Sequence, residues 1–157
     1  MSKDSKTLRK ITDGLKNGGG CGETEIEIIE IRGDAEVEVS GLTHDSRKIE
    51  QGDIFVCIKG FKSDGHDFAA QAVQAGAKAL LVERYLDLNV PQIKVKDTRQ
   101  AVGHLAAAFY NYPSRELELV GVTGTNGKTT VTHLVEEIAR LGGKRTGMIG
   151  TLGSTIN

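Results

Sequence analysis

Residues 117–130 read LELVGVTGTNGKTT, and their order decides the architecture. An apolar, β-branched run, Leu119-Val120-Gly121-Val122, gives way to Gly124-Thr125-Asn126-Gly127-Lys128-Thr129-Thr130. A helical pattern follows at once, with Val131, Leu134, Val135, Ile138 and Leu141 on one stripe. The spacing predicts a strand, a glycine loop and a helix. Glycines at 124 and 127 let the backbone aim its N–H groups inward, and the helix opening at Lys128 adds the positive end of its dipole, so the loop reads as an anion cradle. In such a cradle Gly124, Thr125, Asn126, Gly127 and Thr130 surround the phosphates of ATP. Lys128 reaches the β- and γ-phosphates and is the catalytic candidate, and the Thr129 hydroxyl holds Mg²⁺. The spelling departs from the usual P-loop at Val122, where a glycine is expected. The competing reading is a plain glycine turn between strand and helix.

The chain has 157 residues, of which 38% are hydrophobic, 26% charged and 20 are glycine, the composition of a soluble, glycine-rich α/β protein. A formal net charge of −1 gives no electrostatic argument for nucleic acid or an anionic membrane as partner. No apolar run approaches the length of a membrane span, and the basic first sixteen residues lead into no apolar segment of a secretory leader. Cys21 and Cys57 form no C-x-x-C pair and have no histidine-rich neighbour, which reads as reduced thiols of a cytoplasmic protein rather than a metal site.

Taken in order, residues 7–16 predict a short helix and residues 17–22 a glycine connector. Residues 25–31 alternate but slip once at Ile28-Ile29, the mark of a bulge, and residues 36–39 alternate again, which predicts two strands around a turn. An apolar strand at 54–58 is flanked by two polar loops. Asp67 is the expected cap of a helix that Gly76 ends, and strands follow at 79–82 and 92–95. A second helix starts near Asp97-Thr98, carries Ala101, Val102, Leu105, Ala106 and Phe109 on one stripe, and stops before Tyr112-Pro113.

The fold class is therefore α/β. Residues 1–34 hold the first helix, the connector and the first strand, residues 35–114 form a small α/β domain, and residues 115–157 begin a P-loop domain with a parallel sheet. One β-α-β unit cannot cover both faces of a parallel sheet, so the chain is expected to be the front of a longer protein whose second domain is incomplete here.

Asp45-Ser46-Arg47, Gly52-Asp53-Ile54-Phe55, Asp64-Gly65-His66-Asp67-Phe68 and the loop at 124–130 occur together in the order found in the Mur ligases, and from about Glu36 onward the chain resembles the N-terminal third of that family. The resemblance implies an ATP-dependent ligase of peptidoglycan synthesis that activates a carboxylate as an acyl phosphate for attack by an amino acid. Residues 60–66 and 148–153 look most like the member that adds the third amino acid, meso-diaminopimelate or L-lysine, to a UDP-N-acetylmuramoyl dipeptide. By position, His44, Ser46, Phe61, Lys62 and Ser63 match residues that contact the UDP-sugar, and residues 124–130 match the ATP loop. The family is cytoplasmic, uses ATP and Mg²⁺, and the protein is expected to be monomeric.

Each of these residues has a plainer reading. Asp45-Ser46 can simply cap the turn at Arg47-Lys48, Arg47 can pair with Asp45 or Asp53, and Phe61 can be core. His104 and His133 read as solvated or packed histidines, and Glu136 with Arg140 as an i,i+4 pair on a solvated helix face. Three functions stay open: a third-residue ligase or its D-alanyl-D-alanine-adding relative, a UDP-sugar-binding module without catalysis, and an unrelated P-loop regulator.

Overall fold

Residues 53–57 are buried on both sides of their strand, and that single property dictates layers above and below it. The computed structural model describes residues 5–17, 28–60 and 63–157. It divides into two units, residues 1–116 and 117–157.

The first unit is built on strands β1 (Lys6–Thr7), β2 (Ile28–Arg32), β3 (Glu38–Val39), β4 (Gly41–Thr43), β5 (Asp53–Val56), β6 (Ala79–Val82) and β7 (Gln92–Val95). Its helices are α1 (Leu8–Asn17), α2 (Ala69–Ala75) and α3 (Thr98–Phe109). A five-stranded sheet runs β2-β7-β6-β5-β4, parallel throughout except for the antiparallel edge strand β2. Alternate residues of β5 and β6 face opposite layers. Ile54, Val56, Ala79 and Leu81 pack with Leu8, Ile11, Ala101, Leu105 and Phe109 of α1 and α3. Phe55, Cys57, Leu80 and Val82 pack with Ala69 and Ala72 of α2 on the other side. The small α/β domain expected from the sequence is thus a helix–sheet–helix sandwich, and α1 is part of its core.

Several local expectations hold. The register of β2 on β7 shifts between Ile28 and Glu30, the bulge foreseen from the slip at Ile28-Ile29. Gly76 closes α2 at φ +118°, a conformation that favours glycine. Asn111 and Tyr112 turn the chain out of α3 at φ 62° and 54°. Two expectations do not. Residues 36–39 do not turn back on β2; β3 pairs instead with β1, so the two runs join different sheets. Nor does Asp67 cap α2, because a 3₁₀ turn over Gly65–Phe68 precedes that helix and its cap is Asp64.

The second unit departs further. Helix α4 (Lys128–Leu141) forms on the apolar stripe and strand β8 (Gly147–Gly150) follows Gly142-Gly143, while strand β9 (Gly153–Ile156) is an element that the sequence pattern did not suggest. Residues 117–122, however, join no sheet, and β8 pairs antiparallel with β9 rather than parallel with the loop-forming segment. A two-residue link at 151–152 lets an antiparallel hairpin close locally, whereas a parallel pair needs a crossover and neighbouring strands to be worth forming. The Glu136 carboxylate ties α4 to the hairpin, accepting from the Thr146 hydroxyl at 2.8 Å and the Asn157 amide at 2.6 Å. Arg140 pairs with Glu137 at 2.5 Å, not with Glu136 as the i,i+4 spacing predicts.

The link between β6 and β7 has no helix and is held by one buried amide. Gln92 Oε1 accepts from the Leu86 N–H at 2.9 Å and its Nε2 donates to the Leu86 carbonyl at 2.8 Å. Gln92→Leu leaves both backbone groups without that partner, and the loss is expected to be about 2–3 kcal/mol. Urea unfolding followed by circular dichroism checks this.

Candidate functional site

Three of the expected UDP-sugar residues, His44, Ser46 and Ser63, lie beyond the carboxyl ends of β4 and β5, the edge where parallel α/β sheets bind ligands. His44 and Ser46 follow β4, and Ser63 follows β5. His44 is exposed and Ser46 half-buried. Phe61 and Lys62 lie outside the described residues.

Beside them Asp45 caps the 3₁₀ turn Ser46–Lys48, accepting from the Arg47 N–H at 3.1 Å. It also takes both guanidinium arms of Arg47, Nε and Nη2, each at 2.8 Å. The hydrogen bonds from Arg47 hold the Asp45 carboxyl down at about 2. Arg47 is therefore engaged within its own turn, the plainer of its two readings. The second member of the expected pairing, Asp53, accepts instead from the Glu50 N–H at 2.9 Å.

The loop after β5 is fixed by the buried histidine of the Asp64-Gly65-His66-Asp67-Phe68 motif, His66. The Asp64 carboxylate accepts from the His66 N–H at 3.0 Å, lies 2.6 Å from His66 Nδ1, and takes Arg84 Nη1 at 2.8 Å. His66 Nε2 accepts from the Glu83 N–H at 3.0 Å, which places the ring proton on Nδ1, directed at Asp64. Burial works to raise the Asp64 pKa, but the hydrogen bonds from Arg84 and His66 outweigh it and hold the carboxyl below its ordinary value. The loop itself closes by the Gly60 N–H donating to the Ser63 carbonyl at 2.9 Å and the Gly65 N–H to the Ile58 carbonyl at 3.0 Å. A Cβ at Gly65 would lie 2.6 Å from the Ile58 nitrogen, so only glycine fits there. Asp64, His66 and Arg84 thus set the position of Ser63.

In the second unit the nucleotide-loop candidates come together at the start of α4. Gly127 adopts φ +75° as the helix N-cap, and no side chain caps the helix, so its first-turn N–H groups are left for a ligand or water. Gly124 sits at φ +149°. Lys128 Nζ folds back to donate to the Gly124 carbonyl at 2.6 Å, placing its charge over the loop. Thr125, Asn126, Thr129 and Thr130 are all exposed around it. A positive-φ loop, uncapped amides and a folded-over ammonium fit a nucleotide phosphate, and the adjoining Thr129 hydroxyl is an oxygen donor suited to Mg²⁺.

Burial pushes the Cys57 thiol up to about 12, which makes it an inert core group. Among the described residues no cluster of His, Cys, Asp or Glu is arranged to hold a metal ion. No helix among them is long and apolar enough to cross a membrane.

Because Asp64 ionises below the ordinary carboxylate value of about 3.9, its contribution to stability is complete above that pH and is lost as the pH falls below it. Asp64→Asn is expected to lower the melting temperature at pH 7. The gap from the unsubstituted chain should narrow as the pH is taken from 5 towards 2; a gap independent of pH would contradict the assignment.

The sequence pattern of the Mur ligase family, catalytic domain, matches residues 38–110, and that of the Mur ligase middle domain matches residues 122–157. The UDP-N-acetylmuramoyl-L-alanyl-D-glutamate–2,6-diaminopimelate ligase of Geobacillus thermodenitrificans is 53% identical over 119 residues, 76% of this chain and 24% of that protein. Its counterpart in Listeria monocytogenes is 51% identical over 116 residues, 74% of this chain and 24% of that protein. Among solved structures, a UDP-N-acetylmuramoyl-L-alanyl-D-glutamate–2,6-diaminopimelate ligase superposes with a TM-score of 0.71 at 26% identity, over 98% of this chain and 29% of its own. MurF from Acinetobacter baumannii superposes with a TM-score of 0.64 at 28% identity, over 90% of this chain and 29% of its own. The chain spans about a quarter of the length of the curated relatives it matches.

Proposed function

The chain belongs to the Mur ligase family, and from that premise we propose that it carries the UDP-sugar-binding region and the ATP loop of a ligase adding 2,6-diaminopimelate to UDP-N-acetylmuramoyl-L-alanyl-D-glutamate. The observation that carries the proposal is the identity of 53% to a relative of that name over 119 residues. Among solved structures the diaminopimelate ligase superposes with the higher TM-score, 0.71 against 0.64 for MurF at similar identity, which also favours the third-residue ligase.

Residues 35–114 hold the UDP-sugar, with His44 and Ser46 beside the end of β4 and Ser63 in the loop after β5, and with Phe61 and Lys62 as further contacts. A hydroxyl and an imidazole at a strand end can hydrogen-bond uracil or ribose. Residues 115–157 hold ATP through the amides and side chains of residues 124–130, and Thr129 is the Mg²⁺ ligand from this chain. When bound, ATP and Mg²⁺ supply the phosphoryl group that activates the substrate carboxylate. The chain's own part is positional: uncapped α4 amides orient the phosphates, and Lys128 moves its ammonium from the Gly124 carbonyl to phosphate oxygens. The protein acts in the cytoplasm, as a monomer.

In the native-length protein, Lys128→Ala is expected to raise the barrier by about 2–4 kcal/mol, a loss of one transition-state charge contact. The assay is ADP release with the UDP-muramoyl dipeptide and meso-diaminopimelate. Near-normal turnover in that variant would sink the proposal, and turnover with D-alanyl-D-alanine in place of diaminopimelate would redirect it.

One observation favours a second reading, UDP-sugar binding without catalysis by the 157-residue chain alone. The first unit has a closed core, whereas no residue of 117–157 is buried. Saturable binding of a UDP-sugar with no nucleotide hydrolysis is its signature.

A further inference from the structure

Among the described residues, two that are not glycine sit at positive φ, and they are consecutive: Asn111 at 62° and Tyr112 at 54°. Asparagine tolerates the left-handed region, but a bulky aromatic residue adopts it only under strain. Tyr112 is also followed by Pro113, whose ring pushes the preceding residue towards extended backbone. Local preference alone would therefore leave Tyr112 extended. A strained conformation persists only where its surroundings over-determine it.

Those surroundings come from the other end of the unit's sequence. The Tyr112 hydroxyl donates to the Gly14 carbonyl of α1 at 2.6 Å, across 98 residues. The Lys6 ammonium donates to Asn111 Oδ1 at 2.7 Å and to the Phe109 carbonyl, and stands 5.6 Å from the centre of the Phe109 ring. Helix α1 is itself anchored, because Leu8 and Ile11 are buried in one layer of the core with Leu105, Ala108 and Phe109 of α3. Local bonds complete the corner: the Tyr112 N–H donates to the Ala107 carbonyl at 2.7 Å, and the Arg115 N–H to the Tyr112 carbonyl at 3.0 Å. The Arg115 guanidinium lies over the Tyr112 ring, 4.3 Å from its centre. Just beyond, at Glu116, the first unit ends.

We propose that Asn111-Tyr112 is a hinge for the chain that runs on past Glu116, and that α1 is its latch, the Tyr112 hydroxyl on the Gly14 carbonyl holding the strained setting against an extended one. Hinges are a few residues at the end of an element that absorb a change of φ and ψ, and this pair stands between α3 and the boundary of the first unit. Asn111 is exposed and Tyr112 half-buried, so relaxing them redirects residues 113–116 while the core on Leu105 and Phe109 stays closed. On the function proposed above, the corner joins the region that holds the UDP-sugar to the loop that holds ATP. Its effect on turnover rests on that reading; the latch itself does not.

The test compares the 157-residue chain with Tyr112→Phe, which removes the hydroxyl and keeps the ring. Amide relaxation dispersion over residues 110–116, with the Cα and Cβ chemical shifts of position 112, reads how much of the chain is extended there. The variant is expected to raise that population about tenfold, with no exchange at Ile54, Leu81 or Leu105. Adding Pro113→Ala removes the push towards extended backbone and is expected to reverse most of the rise; a double variant no different from the single one overturns the extended setting. A left-handed, exchange-free corner in Tyr112→Phe overturns the latch. Exchange shared by Ile54, Leu81 and Leu105 overturns the hinge, because the hydroxyl then only adds to the stability of the whole unit. In the native-length protein, Tyr112→Phe is expected to lower kcat about tenfold while the separate affinities for the UDP-muramoyl dipeptide and ATP are unchanged. Normal kcat beside a raised extended population overturns the effect on turnover and keeps the hinge. An unsubstituted protein without ligase activity overturns the proposed function and leaves the dispersion result standing.

Discussion

The two-sided burial of β5 and β6 is the constraint on which the first unit depends. Every residue of both strands is buried, and apart from Asp53 at the start of β5 all are apolar, so helices must cover both faces. Polar chemistry is then confined to the strand ends. The turns at the amino ends are occupied by packing: Gly41 lies against the Asp53 carboxylate, and Gly52 at φ +95° against the Ser40 side chain. The carboxyl ends are where the loops carrying His44, Ser46 and Ser63 leave the sheet. The fold thus makes a binding edge before any ligand is considered.

That edge is stiffened by hydrogen bonds that cross long stretches of sequence. His66 is buried in the loop after β5, yet its ring joins Asp64 to the backbone of Glu83, and Arg84 reaches back to Asp64. Thr98 then joins the end of β5 to Glu83 and to α3. Each contact brings a loop from one strand onto the next, so the ends of β5, β6 and β7 form one surface. The second unit has no comparable core. Leu134, Ile138 and Leu141 of α4 are more than half exposed, and the hairpin is joined to the helix through the polar side chains around Glu136. Its loop nevertheless holds glycines at positive φ and an uncapped helix start, because those features are local to residues 124–130.

What the sequence made legible follows the same division. Strands β6 and β7 and helix α3 fall where short apolar runs and the 3.6-residue stripe place them, since burial of those residues is decided by the first unit alone. The glycine loop and the start of α4 were also readable, being set by Gly124, Gly127 and Lys128 themselves. The pairing of residues 117–122 was not, because a strand is a relation to partners and an apolar β-branched run describes only one side of it. Strand β3 falls inside the alternating run at 36–39, but its partner β1, two residues long, has too little pattern to read. Asp64 and His66 stood out as part of a motif, but their contacts with Arg84 and the Glu83 backbone escaped because residues 64–66 and 83–84 are distant in sequence. The only local signal for Glu83 was that it is the first charged residue after the apolar strand β6.

The claim that the carboxyl edge of this sheet receives the UDP-muramoyl dipeptide is tested most directly by amide chemical-shift mapping of the isotope-labelled chain with that ligand. The account predicts saturable shifts at His44, Ser46 and Ser63, with Gly41, Ala79 and Gln92 at the opposite strand ends unmoved. Saturable shifts confined to those opposite ends, or no saturable shift in residues 35–114, would contradict it.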